Sequence, residues 1–408
     1  MYRPHRKIAD MKDDHTMTQI EDCAASVLDG ATQNAIAATY PDKPRHQGMP
    51  PFDPSGPPLS FYEFWPPRLF YIPICIQWIL LSIRYGSATL PSVANPLFPL
   101  GGLVGESKEM ILSQVGGNSA GLVARFAAFT RGRNGADAKS DGEKAETMMR
   151  EKDIVYPAVA KPDIGCRGVG VQIVRGTDEL LAYLQNFPLG GRVLLQELVP
   201  YEGEAGVFYV RPPNEAHGII FSLTLKYFPY VQGDGQSSLR ELIERDRRAG
   251  LIKHVYLERH QKQLDTIIPA DQNFRLAFTG SHSRGTIFRN GNGYITDEMV
   301  ATFDRISRQI PEFYFGRFDV RFPDYKEFQK GRCFKIVEIN GAGGEATHIW
   351  DRKTPILAAY RTLMKQFSYL FKIGAHNRRR GFKPASPIEL WRAYRTEKRL
   401  TPLYPSTE

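Results

Sequence analysis

The chain has 408 residues, 42% of them apolar and 24% charged, with a formal net charge of +9. That length allows a large enzyme of one composite domain plus appendages. Its four cysteines, Cys23, Cys75, Cys166 and Cys333, stand apart without CxxC spacing, which argues against a paired-cysteine zinc site and fits a reducing, cytoplasmic compartment.

Residues 1–60 are rich in Pro, Asp, Lys, Ala and Thr, with no sustained apolar period before Leu59. They read as a flexible N-terminal extension that lacks the layout of a secretory signal. Region 61–150 opens on Phe61-Tyr62-Glu63-Phe64-Trp65 and the uncharged stretch Leu69–Ile83, flanked by Arg68 and Arg84. The stretch falls short of the ~20 residues a spanning helix needs. Three readings stay open: a buried core helix, a helix at a membrane interface, and a short or tilted spanning helix. Peripheral membrane contact through residues 61–85 is therefore one expectation. From residue 86 to about 135 the chain is short and loop-rich, too little for a complete α/β domain. There Gly105-Glu106-Ser107-Lys108 starts a helix, either as a capped turn or as an anion site using Lys108. The polar stretch 131–152 reads as a flexible link.

From residue 151 the patterning changes. Val159-Ala160-Lys161-Pro162 ends an apolar strand and runs into a turn bearing Gly165, Gly168 and Gly170. Glycines let backbone N–H groups approach an anion and the lysine adds a point charge, as a flap over phosphates requires. A tight hairpin is the plainer reading, and the spacing is not the P-loop pattern. Val193–Val199 is a buried strand leaving through a polar edge, and Glu202-Gly203-Glu204 opens another strand. Gly233-Asp234-Gly235 makes a turn, Ser237 or Ser238 caps a helix, and Leu239, Leu242 and Ile243 face the core. Asn273–Gly285 is either a solvated hairpin or a loop carrying His282 and Arg284 to a substrate.

Gly316–Arg321 and Phe334–Gly341 are two alternating strands. Alternate residues of a strand share a face, so Glu338 and Asn340 point together and Asp319 joins them from the neighbouring strand. Two carboxylates and an amide oxygen suit Mg²⁺ with phosphates completing its shell; a hairpin with a wet polar face is the bland alternative. Residues 353–408 form a basic helical tail with Lys372, Arg378, Arg379, Arg380, Arg395 and Lys398 among its charges. Such a run binds RNA, anionic lipid or an acidic substrate, or is simply a solvated helix. No RNP, zinc-knuckle or helix-turn-helix signature favours nucleic acid.

Taken in order, these elements resemble the ATP-grasp superfamily over residues 151–352. The stretch Glu197–Glu204 looks like the hinge of D-alanine–D-alanine ligases. Gly233–Ser237 is similar to a Gly-Asp-Gly-x-Ser turn of cyanophycin synthetases and bifunctional glutathione synthetases. The resemblance implies an α/β (α+β) fold whose two subdomains clasp ATP. Lys161 would touch adenine and the α/β-phosphates, and Gly168 would sit in the lid. Glu197 and the backbone near Val199 would meet adenine, Glu204 the ribose, and Lys226 the nucleotide. Arg317 would face the transferred phosphate, with Asp319, Glu338 and Asn340 holding Mg²⁺. Arg284 and His282 become candidate substrate contacts. Gly341–His348 departs from the Asn-Thr-x-Pro-Gly form of the D-alanine ligases, so a D-alanine acceptor does not carry over; Glu345 or His348 would read an amine. The implied activity is ATP-dependent, Mg²⁺-dependent joining of a small-molecule carboxylate and an amine through an acyl phosphate. An ATP-grasp kinase and a membrane-associated ATP-binding protein without ligase activity are the alternatives. The intact set Lys161, Arg317, Asp319, Glu338 and Asn340 argues against the second.

Overall fold

Short runs of β-branched and aromatic residues, bounded by Gly, Pro or Asp, become the strands of this protein. A computed structural model describes residues 45–132, 138–165 and 167–407. Its strands are β1 (Phe126–Thr130), β2 (Ala158–Pro162), β3 (Gln172–Val174), β4 (Arg192–Glu197), β5 (Gly203–Val210), β6 (Ile219–Tyr227), β7 (Tyr230–Gln232), β8 (Asn273–Arg275), β9 (Ile287–Asn290), β10 (Phe315–Phe322) and β11 (Lys335–Asn340). One sheet runs β1-β4-β2-β3 and a second runs β11-β10-β5-β6-β9, while β7 and β8 form a separate ribbon. Neighbouring strands in all three are antiparallel.

The helices Ala138–Glu151 and Thr177–Gln185 cover the first sheet, packing Ala145, Met149, Leu180 and Leu184 against Val193 and Leu195. In the second sheet, period-two alternation divides the two faces. Val207, Tyr209, Phe318, Val320 and Phe322 turn towards the helix Asp297–Arg308, where Met299, Phe303 and Ile306 complete the largest core cluster. On the opposite face, Phe208, Val210 and Phe315 lie under the helix Ile356–Arg379 through Leu370 and Ile373. That helix stops short of the far end of the strands. There the same face carries Glu204, Arg317, Asp319 and Arg321, which become the floor of a cleft.

Several expectations need revision. Residues 133–137 of the stretch read as a link lie outside the described residues, and 138–151 is a helix in which Ala138, Gly142, Ala145 and Met149 recur at helical spacing and are buried. Its polar residues occupy the outer face, which is why composition hid it. The region 353–408 is no simple basic tail either, because Leu363, Leu370, Phe371 and Ile373 bury one face of Ile356–Arg379 while its charges stay outside. Of the 1–60 extension, residues 1–44 lie outside the described residues, and 45–60 lie against the body of the protein. There Met49 is buried, Tyr325 N donates to Gly48 O, and Arg352 reaches Asp53 O. The Gly-Asp-Gly segment behaves as read, with Ser238 capping Leu239–Arg245 in a reciprocal capping box with Glu241. Cys333 is disulfide-bonded, so the four cysteines are not all isolated thiols; Cys75 is free and exposed.

The apolar run 61–85 forms two helices, Pro67–Phe70 and Ile72–Tyr85, broken at Tyr71 beside Pro73. Phe70 and Ile74 pack against Ala359 and Leu363, and Trp78 meets the rings of Phe367 and Phe371 edge-on. One face is thus core, and the opposite face is open. Among the described residues, no helix is long and apolar enough to cross a membrane.

Candidate active site

A cleft of about 720 Å³ opens between the two large sheets. The first sheet supplies Lys161 from β2 and Glu197 from the end of β4. The second supplies Glu204, Lys226, Arg317, Asp319, Arg321, Glu338 and Asn340 from β5, β6, β10 and β11. The register explains the clustering, since Arg317 lies opposite Asn340, Asp319 opposite Glu338, and Arg321 opposite Glu204. Gly206 sits directly across from Asp319. A Cβ there would stand 3.0 Å from Arg317 Cδ and 3.3 Å from Asp319 Oδ1, so glycine leaves these side chains their room.

An alternating array of charge covers the floor. Asp319 Oδ1 accepts from Arg317 Nε at 2.8 Å and lies 3.1 Å from Lys226 Nζ, and its Oδ2 accepts from Arg317 Nη2 at 3.0 Å. Lys226 also donates to Glu204 Oε1 at 3.0 Å, while Glu204 Oε2 takes Arg321 Nε at 3.1 Å. Burial alone would raise the Asp319 carboxyl, but Arg317 and Lys226 hold it down at about 2. Glu204, read as a ribose contact, and Lys226, read as a nucleotide contact, are therefore already paired with each other. Lys161 stretches over the floor and donates to Gln196 Oε1 at 2.8 Å and Val337 O at 3.2 Å. Burial lowers its amine to about 8 against the pull of Glu338.

Every site residue proposed from the sequence lines the cleft except Arg284 and His348. Arg284 and His282 are two apart in a single 3₁₀ turn, where each residue rotates by about 120°, so they cannot point the same way. His282 takes the inward position. Its ring stacks between Phe64 and Trp350 at 5.3 and 5.1 Å, and its Nε2 lies 3.0 Å from Glu63 Oε1. Of the two amine readers, Glu345 faces the cleft, accepting from Tyr71 at 2.7 Å and from Trp350 Nε1 at 3.1 Å. His348 instead is buried outside the lining, with its Nδ1 unpartnered.

Other lining residues went unassigned because they come from the N-terminal region, far away in sequence. Glu63 is buried and paired with Arg248; desolvation would raise its carboxyl, yet His282 and Arg248 hold it at about 2. Glu106 and Lys108 also reach the cleft. Lys108 Nζ donates to Gly165 O at 2.6 Å and lies 3.9 Å from Glu338 Oε1. Burial pushes Glu106 up to about 7. The signal for this pair was the Gly105–Lys108 motif itself, whose Ser107 does cap the helix while its charged neighbours face inward.

The flap between β2 and β3 is tied from a distance. Tyr404 donates to Ile164 O at 2.7 Å, Thr407 Oγ1 donates to Gly168 O at 2.9 Å, and Gly170 N donates back to Thr407 Oγ1 at 3.1 Å. Gly170 has φ of +73°, and a Cβ would lie 2.8 Å from Pro162 Cγ, so only glycine fits this closed turn.

The oxygen donors Asp319, Glu338 and Asn340 share one wall. Among the described residues, no group of three or more His, Cys, Asp or Glu could hold a metal unaided. The chemistry of the donor set still fits Mg²⁺, which takes one or two carboxylates and completes its shell with substrate phosphates and water.

In sequence, the chain is 27% identical to a cyanophycin synthetase from Synechocystis sp. over 213 residues, covering 48% of this chain and 24% of that protein. Two sheets with a cleft between them are what the resemblance to the ATP-grasp superfamily implies. No family model matches the chain. Solved structures similar to it include a bifunctional glutathione synthetase from Pasteurella multocida, 16% identical with a TM-score of 0.33, covering 65% of this chain and 35% of that one. A D-Ala:D-Ser ligase from Enterococcus faecalis is 13% identical with a TM-score of 0.38, covering 68% of this chain and 64% of that one. The chain spans about a quarter of the length of the cyanophycin synthetase and about a third of the glutathione synthetase.

Proposed function

We propose that this protein is an ATP-dependent carboxylate–amine ligase that forms an amide bond through an acyl phosphate. The observation carrying the reading is the convergence of Lys161, Arg317 and Lys226 with Asp319, Glu338 and Asn340 on one cleft between two sheets. A carboxylate is a poor electrophile, so its oxygen would first attack the γ-phosphorus of ATP, with ADP leaving. The amine nitrogen would then attack the acyl carbon, expelling phosphate and losing a proton. Phosphoryl transfer asks the protein for position and charge rather than for a nucleophile. Lys161 would bind the phosphates from the flap side, while Arg317 would offset charge on the transferred group. Glu197 and the backbone at Val199 would meet the base, and Gly168 would lie in the flap that keeps water from the acyl phosphate. Asp319, Glu338 and Asn340 would hold Mg²⁺, which neutralises phosphate charge when bound. The cyanophycin synthetase likeness supports the ligase class. Neither Arg284 nor His348 has a role in this scheme; His282 and Glu345 take the positions facing a substrate.

The test is ADP release across a panel of carboxylates and amines, with mass spectrometry of products. Release that requires both substrates and yields an amide supports the ligase. Release with one substrate and a stable phosphorylated product would make the protein a kinase, and ATP binding without turnover a scaffold.

A further inference from the structure

The outer face of the helix Ile72–Tyr85 has no partner. Ile72, Ile76, Ile79, Leu80 and Ile83 recur on one side at helical spacing, each between 49 and 74% exposed, while Ile74 and Trp78 turn inward. Phe61, Phe64, Trp65 and Leu69 extend the same apolar surface. A contiguous exposed patch of this kind marks a contact with something apolar. Its surroundings say what that is. No acidic side chain is exposed between Phe61 and Tyr85, because Glu63 is buried with Arg248. The neighbouring helix Ile356–Arg379 contains no Asp or Glu in any of its 24 residues. Gln77 of the apolar helix donates to Met364 O and Ser368 Oγ of that neighbour, and Arg378 donates to Tyr85 O, so the two run side by side. Arg361 and Lys372 stand seven residues before and four after Ser368, on the same exposed side. Arg68 and Arg84 bracket the apolar stripe.

We propose that this face docks onto an anionic lipid bilayer, with the isoleucine stripe in the interfacial layer and Arg68, Arg84, Arg361 and Lys372 against the head groups. An in-plane helix with apolar side chains below and cations beside them binds by apolar burial plus attraction to negative lipid. A protein partner of ordinary composition would not require both of these segments to present no carboxylate. Phe64, Trp65, Pro67 and Tyr71 of the same segment line the cleft, so docking places the cleft mouth at the lipid surface.

The experiment is co-sedimentation of the full chain, without ATP or substrate, with vesicles of phosphatidylcholine containing phosphatidylglycerol, and with pure phosphatidylcholine vesicles. Because no turnover is read, its failure and that of the ligase proposal are distinguishable. The wild type should sediment with the anionic vesicles and be released by salt. Ile76→Glu with Ile79→Glu should weaken binding by more than about tenfold. Arg361→Ala with Lys372→Ala, which leaves the stripe untouched, should weaken it roughly fivefold per residue. Circular dichroism checks folding, and the arginine–lysine pair of substitutions keeps the test open should the glutamate variant misfold. Failure of the wild type to sediment, equal binding to neutral vesicles, or undiminished binding of the folded glutamate variant would each overturn the proposal. So would a wild-type dimer in light scattering that the glutamate substitutions dissociate, because a second copy would then cover the stripe.

Discussion

Replacing Lys226 by Met keeps its length and removes its charge from the middle of the cleft floor. Its amine sits 3.0 Å from Glu204 Oε1 and 3.1 Å from Asp319 Oδ1, and the side chain is 2% exposed. At that range each attraction is about 5 kcal/mol at an effective dielectric of about 20, before the cost of dehydrating the amine is subtracted. Breaking a buried pair by removing one partner costs about 3–5 kcal/mol, because the remaining charge is left without compensation. Arg321 still contacts Glu204 and Arg317 still contacts Asp319, so the expected loss is smaller, about 2–4 kcal/mol. Urea unfolding at pH 7 measures it. The pH dependence supplies a second reading. Asp319 is held at about 2, below its unfolded value, so its contribution is fully present above about pH 4 and is lost as pH falls through 2. Loss of Lys226 raises the Asp319 pKa, so the gap between wild type and Lys226→Met should narrow as pH is lowered from 5 towards 3. A folded Lys226→Met protein within about 0.5 kcal/mol of wild type at pH 7 would refute the account of the floor as one charge-balanced array.

Glu338 makes a long ion pair with Lys108 at 3.9 Å, so Glu338→Ala should leave the protein folded while lowering ADP release by about a hundredfold or more; near-normal turnover with Mg²⁺ would remove the metal assignment. His348 is buried, its Nδ1 is unpartnered, and burial lowers its pKa to about 4. The unfolded state therefore binds the extra proton between about pH 6.5 and 4, and stability should fall by up to about 3 kcal/mol on acidification through that window. A His348→Gln variant should lose that share of the slope in urea melts taken at pH 7 and 4.5. Tyr404→Phe with Thr407→Ala removes the fastening of the flap, and each lost hydrogen bond is worth about 1 kcal/mol. The expected result is a raised KM for ATP and ADP release without amine, read by comparing hydrolysis with ligation.

The strands that bear the acid pair were legible because alternation is local: Phe318, Val320 and Ile339 announce their own inward face, which leaves Asp319, Glu338 and Asn340 on the other. Lys161 was legible for the same reason, as the polar end of an apolar strand. Arg284 was misplaced because adjacency in sequence says nothing about which residue of a tight turn faces inward. The helix Ala138–Glu151 was missed although its buried positions keep the helical period, since Ala and Gly carry little hydrophobic weight beside so many charges. Glu106 and Lys108 were flagged by the Gly105–Lys108 motif, whereas Glu63 carried no local signal, because tertiary packing alone brings the N-terminal region to the cleft. The apolar helix was ambiguous for a sound reason: it is core on one side and open on the other.

The fastening of the glycine turn by Tyr404 and Thr407 has a kinetic consequence. Were nucleotide to bind beneath this turn, as proposed above, it would enter or leave only after these bonds from a segment some 240 residues away were released. At about 1 kcal/mol apiece they make the open state rarer by roughly a hundredfold than in an unstrapped turn. Exchange of spent ADP, rather than bond formation, would then set the tempo of the cycle.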